Sequence, residues 1–273
     1  MSAAVVAAGR REIEAIALVG FGHGVSHFFH LMIPSLFPFL MRDFGLSFTQ
    51  LGLLSGVFFT LSGVGQALAG FVVDRLGARR VLLAGLTLFA ASAIVLAVAP
   101  SYPALLLAAT IAGIGNCVFH PADFTLLNRN ISGPRLGHAF SVHGLSGNLG
   151  WALAPVFMTG IAVAWHWRAA AFAAAAVAVA PVVLFWLRRD VVADVPVTGD
   201  GRKGETRGST FAFLGSGAVW MCFLFFLLVT VAFAALQNFG PSVLHEVYGM
   251  SLAAGASALT AFLLGGAAGM AAG

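Results

Sequence analysis

Histidines and one aspartate set inside apolar runs carry the chemistry of this sequence. His23, His27 and His30 are spaced by four and three residues, so on a helix they share one stripe. Asn116, His120 and Asp123 repeat that spacing, and His143 and Asn148 follow downstream. Imidazole titrates near neutrality, so a histidine beside a carboxylate can take up and release a proton. The expectation is a proton station at His120 and Asp123, helped by His27 and His143, with Asn116 on the His120 stripe and Asn148 as a further polar candidate beyond His143. The competing reading of the same residues is helix-to-helix hydrogen bonding. His23 and His30 read rather as such structural contacts, and His138, His166 and His245, near the ends of apolar runs, as interfacial residues.

Those residues need elements that hold them in an apolar medium. Of 273 residues, 60% are hydrophobic and 9% charged, and mean hydropathy is +0.96. A soluble domain carries about 25% charged residues, so this composition points to an integral membrane protein. A net charge of +4 does not imply nucleic acid, because the basic residues stand in short groups between apolar runs. Cys117 and Cys222 show no metal-binding or disulfide spacing. The first run is too long for the apolar core of a signal peptide.

About 20 apolar residues cross the hydrocarbon once as a helix. By that measure there are eight runs, near 14–40, 50–73, 81–99, 104–127, 137–164, 169–187, 211–238 and 250–272. They are long and continuous, which favours helices over a barrel. With the N-terminus inside, twelve Lys and Arg residues fall in inside segments and only Arg42 and Arg168 outside, the bias of a bacterial-type inner membrane protein. Asp190, Asp194, Asp200 and Arg202-Lys203-Gly204 mark a cytoplasmic linker. The expected fold is therefore an all-α polytopic bundle. One complete six-helix half occupies 1–188, the linker 189–210, and the first two helices of a second half 211–273, so the chain reads as truncated. Tandem six-helix halves are a transporter architecture.

Between the second and third runs stands Gly70-Phe-Val-Val-Asp74-Arg75-Leu-Gly77-Ala78-Arg79-Arg80. This resembles the signature loop of the major facilitator superfamily, G-x-x-x-D-(R/K)-x-G-(R/K)-(R/K), with Ala78 where a basic residue usually sits. Gly70 and Gly77 would allow close helix approach and a tight turn, and Asp74, Arg75, Arg79 and Arg80 would serve gating and orientation. Ser26-His27, Phe119-His120-Pro121 with Asp123, and Gly147-Asn148-Leu-Gly150 are similar to the fosmidomycin-resistance branch of that superfamily. Gly150, Pro155 and Gly160 partly match its antiporter motif, with Ala154 in place of a glycine. Ala109 stands where many proton-coupled members carry an arginine. Pro34, Pro38, Pro121 and Pro155 lie within spans, as hinges or as static kinks.

The resemblance implies a secondary transporter working by alternating access, exporting a small drug-like or anionic compound against protons. No cofactor and no metal are expected. The partners are a small-molecule substrate, protons and the bilayer, and no oligomeric state is assigned. An importer of a sugar, organic acid or metal ion is the alternative. The rival from another class is a membrane di-metal enzyme, since His23-x-x-x-His27-x-x-His30 resembles a histidine box. The sequence shows no Walker loop or nucleotide fingerprint, which sets ATP-driven pumping aside.

Overall fold

A computed structural model describes residues 3–192 and 212–272, with side chains from Gly9 onward and from Leu214 onward in the second stretch. Residues 193–211, which include most of the linker expected at 189–210, lie outside the described residues. All described secondary structure is helical. Among the described residues, eight segments are long and apolar enough to cross a membrane: Gly9–Phe44, Phe48–Leu76, Ala78–Val98, Tyr102–Asn130, Gly133–Ala164, Trp167–Leu187, Gly217–Tyr248 and Leu252–Ala272.

Two of these spans are broken, each at a proline. The first consists of α1 (Ala3–Met32), a 3-10 turn at Pro34–Leu36, and α2 (Phe37–Phe44). Pro34 has no N–H to give to the carbonyl of His30, four residues back. The fourth span is α5 (Tyr102–Asn116) followed by α6 (Phe119–Asn130). Pro121 likewise leaves the carbonyl of Cys117 without its helical donor, and the helix is interrupted at Cys117 and Val118. The intervening and later spans are α3 (Phe48–Leu76), α4 (Ala78–Val98), α7 (Gly133–Ala164), α8 (Trp167–Leu187), α9 (Gly217–Tyr248) and α10 (Leu252–Ala272). Pro155 sits inside α7, which continues through it.

The seventh span runs to Tyr248, ten residues past the expected end. Gln237, Asn238 and Pro241 look like a helix terminus in sequence. In the fold Gln237, Asn238 and Ser242 are buried, and Ser55 Oγ donates to Asn238 Oδ1 at 2.7 Å. Asn238 thus meets α3, and α9 stops instead at Gly249, in the left-handed region with φ 65°.

Helix α1 packs on α7, α4 on α8 and α5, α3 on α5, and α10 on α7. Glycine contacts set the crossings. A Cβ on Gly150 would stand 2.0 Å from the carbonyl oxygen of Gly24, and one on Gly85 would stand 2.7 Å from that of Gly115. Such pairs bring backbones together where lipid offers no hydrophobic drive. Near one end, Arg135 pairs with Glu12 at 3.0 Å and Arg188 with Glu14. At the other, Trp167 Nε1 donates to Asp43 Oδ2 at 2.7 Å, with Arg42 beside it. Charged residues therefore cluster at the two faces of the bundle.

The final pair of spans is joined unevenly to the rest. Phe239 of α9 packs against Phe37 and Phe48, and Phe233 against Trp151. Residues 220–232 of α9, by contrast, are exposed throughout. The side of α3 that follows Gly63 is also largely exposed, with Val64, Leu68 and Phe71 each about 60% open.

Candidate functional site

The polar residues of α1, α6 and α7 meet in one layer inside the bundle. The close approach at Gly24 and Gly150 turns the α1 histidine stripe toward α7, and α6 closes the third side. Asp123 on α6 is completely buried. Its Oδ2 lies 3.1 Å from His23 Nδ1 and 3.1 Å from His143 Nε2. The two imidazoles stack with centroids 3.5 Å apart. Asp123 Oδ1 is buried without a hydrogen-bond partner.

An ionised carboxylate only accepts hydrogen bonds. Facing it, His23 must carry its hydrogen on Nδ1 and His143 on Nε2. A buried carboxylate is tolerable only when paired in this way, and a proton delivered to it reorganises both rings. The arrangement can therefore hold a proton in more than one place.

His120 does not share that hydrogen bond. Its Nδ1 meets Gln66 Oε1 of α3 at 3.1 Å, while its ring lies 5.3 Å from that of His23 and 6.0 Å from that of His143. His120 and Asp123 face different neighbours although they share one helical stripe. His27 stands between the groups, with ring centroids 4.4 Å from His23, 4.8 Å from His30 and 4.3 Å from Trp151. Both His27 nitrogens are buried and lack hydrogen-bond partners.

His30 belongs to a separate chain of bonds. Trp151 Nε1 donates to His30 Nδ1 at 3.1 Å. His30 Nε2 then carries the hydrogen and donates to Asn116 Oδ1 at 3.0 Å, and Asn116 Nδ2 donates to Ser62 Oγ at 2.7 Å. The three histidines of α1 thus do not act as one box, because both nitrogens of His30 are engaged. Asn148 lies apart, donating to the carbonyl of Gly144 and toward Met270 Sδ.

By spacing alone His23 reads as a structural contact, and the fold puts it at the centre. Its place on the stripe was the available signal. Gln66, a lone amide in an apolar run, was equally visible. Nothing local marked Trp151, and the Gly147-Asn148-Leu-Gly150 run did not say what Gly147 makes room for. A Cβ on Gly147 would stand 2.8 Å from His27 Nδ1 and 3.0 Å from His23 Nε2, so this glycine makes room for both rings.

The Gly70–Arg80 segment covers the end of α3, the turn at Gly77 and the start of α4. Gly77 has φ 92° and serves both as the end of α3 and the start of α4. Ala78 is fully buried, so the position where the motif usually has a basic residue is occupied by packing here. Asp74, Arg75 and Arg80 are exposed and Arg79 is half-buried. Gly70 has open space around its Cβ position, as does Gly160. Ala109 is fully buried.

Comparison with known proteins bears on the family and the fold. Residues 19–273 match the family model of the Major Facilitator Superfamily. The fosmidomycin resistance protein of Escherichia coli (strain K12) is 26% identical over 272 residues, covering 98% of this chain and 66% of that protein. The MFS-type transporter YfnC of Bacillus subtilis (strain 168) is 30% identical over 148 residues, or 54% of this chain and 36% of its own. The present chain thus spans less than two thirds of either relative. A bacterial homologue of the human lysosomal transporter Spinster, solved inward-facing and unoccupied, superimposes with TM-score 0.73. Its identity is 20%, with 91% of this chain and 58% of the other covered; this likeness concerns the fold.

Proposed function

The chain belongs to the Major Facilitator Superfamily, and on that premise we propose that it is a secondary transporter of the inner membrane, exporting a small anionic or drug-like compound in exchange for protons. The N-terminus lies in the cytoplasm in this reading, on the side carrying Arg10, Arg11, Arg75, Arg80 and Arg135. The similarity to a fosmidomycin resistance protein supports export of a drug-like cargo.

The observation that carries the proposal is the Asp123 carboxylate, completely buried and shared by His23 and His143 at 3.1 Å each. Ionisable groups at this depth in a membrane protein are expensive and serve ion pathways or relays. His120 and His27 continue the polar layer beyond this pair, and His120 is only half-buried. Helix α10 packs on α7, and Met270 approaches α7 at Gly144, next to His143, so rocking of α9 and α10 against the first six spans would open the layer to alternate sides.

The test is drug uptake into inside-out vesicles under an imposed proton gradient. Asp123→Asn should abolish gradient-driven accumulation while leaving substrate-for-substrate exchange, and His120→Ala should weaken it. Full gradient-driven accumulation in both Asp123→Asn and His143→Ala would overturn the coupling role.

A further inference from the structure

We propose that His23, His27 and His120 form a binding site for one divalent first-row transition-metal ion of the Zn2+ class. This goes beyond the transport reading and rests on the geometry of the histidines alone. One ring nitrogen from each of the three lies within 4.8 Å of the other two. Around a tetrahedral ion with metal–nitrogen bonds of about 2.0–2.1 Å, such nitrogens stand about 3.4 Å apart, so modest ring rotation closes the set.

The groups behind the ligands point the same way. Metal-binding histidines generally give their other N–H to a carboxylate or carbonyl, which fixes the tautomer. His23 gives Nδ1–H to Asp123, and His120 Nδ1 faces the amide oxygen of Gln66. In both rings Nε2 is left with its lone pair. Asp123 also places a negative charge behind the site.

His27 supplies the independent observation. Its two nitrogens are buried and unpartnered, a costly state for a polar ring that ligation relieves at one of them. His23 Nε2 and His27 Nδ1 both lie within 3.0 Å of the point where a Gly147 Cβ would stand, so they converge on one space kept clear by that glycine. A second group, His23, Asp123 and His143, has similar spacing. It shares His23, and its near atoms already bond one another, so a single ion belongs to the three-histidine set. Imidazoles select zinc, copper, iron or nickel over magnesium and calcium.

The experiment is Zn2+ titration of the purified full chain in detergent against a chromophoric chelator, alongside Co2+ absorption spectra. One ion per chain is expected, with micromolar or tighter affinity. His27→Ala and His120→Ala should each weaken binding at least tenfold, and exposed His138→Ala should not change it. X-ray absorption of the Zn2+-loaded wild type, which needs no variant, should show three imidazole nitrogens. Absence of binding at 100-fold molar excess, an oxygen-only shell, or unchanged affinity in the His27→Ala/His120→Ala double variant would overturn the site. Binding is read without transport, so failure of proton-coupled export leaves this result standing, and the reverse.

Discussion

The indole of Trp151 donates its hydrogen to Nδ1 of His30 across 3.1 Å, and that one bond separates His30 from the histidines beside it. A tryptophan only donates, so the ring must be neutral with its own hydrogen on Nε2. The ring thereby becomes a strut between α1, α5 and α7. Ring 15N NMR should find His30 as the Nε2–H tautomer, and Trp151→Phe should weaken that preference without reversing it, because Asn116 Oδ1 still accepts from Nε2. A protonated His30 in the wild type at neutral pH would contradict the assignment.

The Gly24–Gly150 contact supports a stability prediction. Because the missing Cβ of Gly150 would meet a backbone oxygen at 2.0 Å, α1 and α7 must separate to admit it. Gly150→Ala should cost about 3 kcal/mol or more, at or above the upper range of ordinary overpacking. Gly160→Ala, in open space, should be neutral or slightly stabilising. Thermal unfolding in detergent measures the difference.

The two glycines of the Gly70–Arg80 segment should respond differently. Gly77→Ala places a side chain at φ 92° and should cost about 1–3 kcal/mol from backbone strain. Gly70→Ala meets no neighbour within 4 Å and lies in a helix, where alanine is favoured over glycine by up to about 1 kcal/mol. Equal loss of stability in the two variants would contradict the geometry.

His23 and Asp123 should be energetically coupled even though 100 residues separate them. A double-mutant cycle with His23→Ala and Asp123→Ala, measured by unfolding, should give an interaction of about 0.5–3 kcal/mol. The cycle of His120→Ala with Asp123→Ala should give a smaller value, because His120 bonds Gln66 instead. A larger coupling for His120 would restore the pairing that sequence spacing favours.

The spans were legible because hydropathy and helix length are local properties. Proline breaks at Pro34 and Pro121 could be anticipated for the same reason, since a missing N–H acts within one turn. The end of α9 was not legible, because Asn238 looks like a terminus until Ser55 is brought beside it.

By itself the sequence determined eight helices, the uneven placement of basic residues, and the stripes on which His23, His27, His30, His120 and Asp123 lie. Only the tertiary structure decided which stripe members meet. A helical repeat fixes a side chain's direction relative to its own axis and carries no information about how neighbouring helices are rotated or crossed. That was set by contacts such as Gly24 with Gly150, which turn His23 and His143 onto Asp123, place His30 against Trp151 and Asn116, and leave His27 facing the space above Gly147.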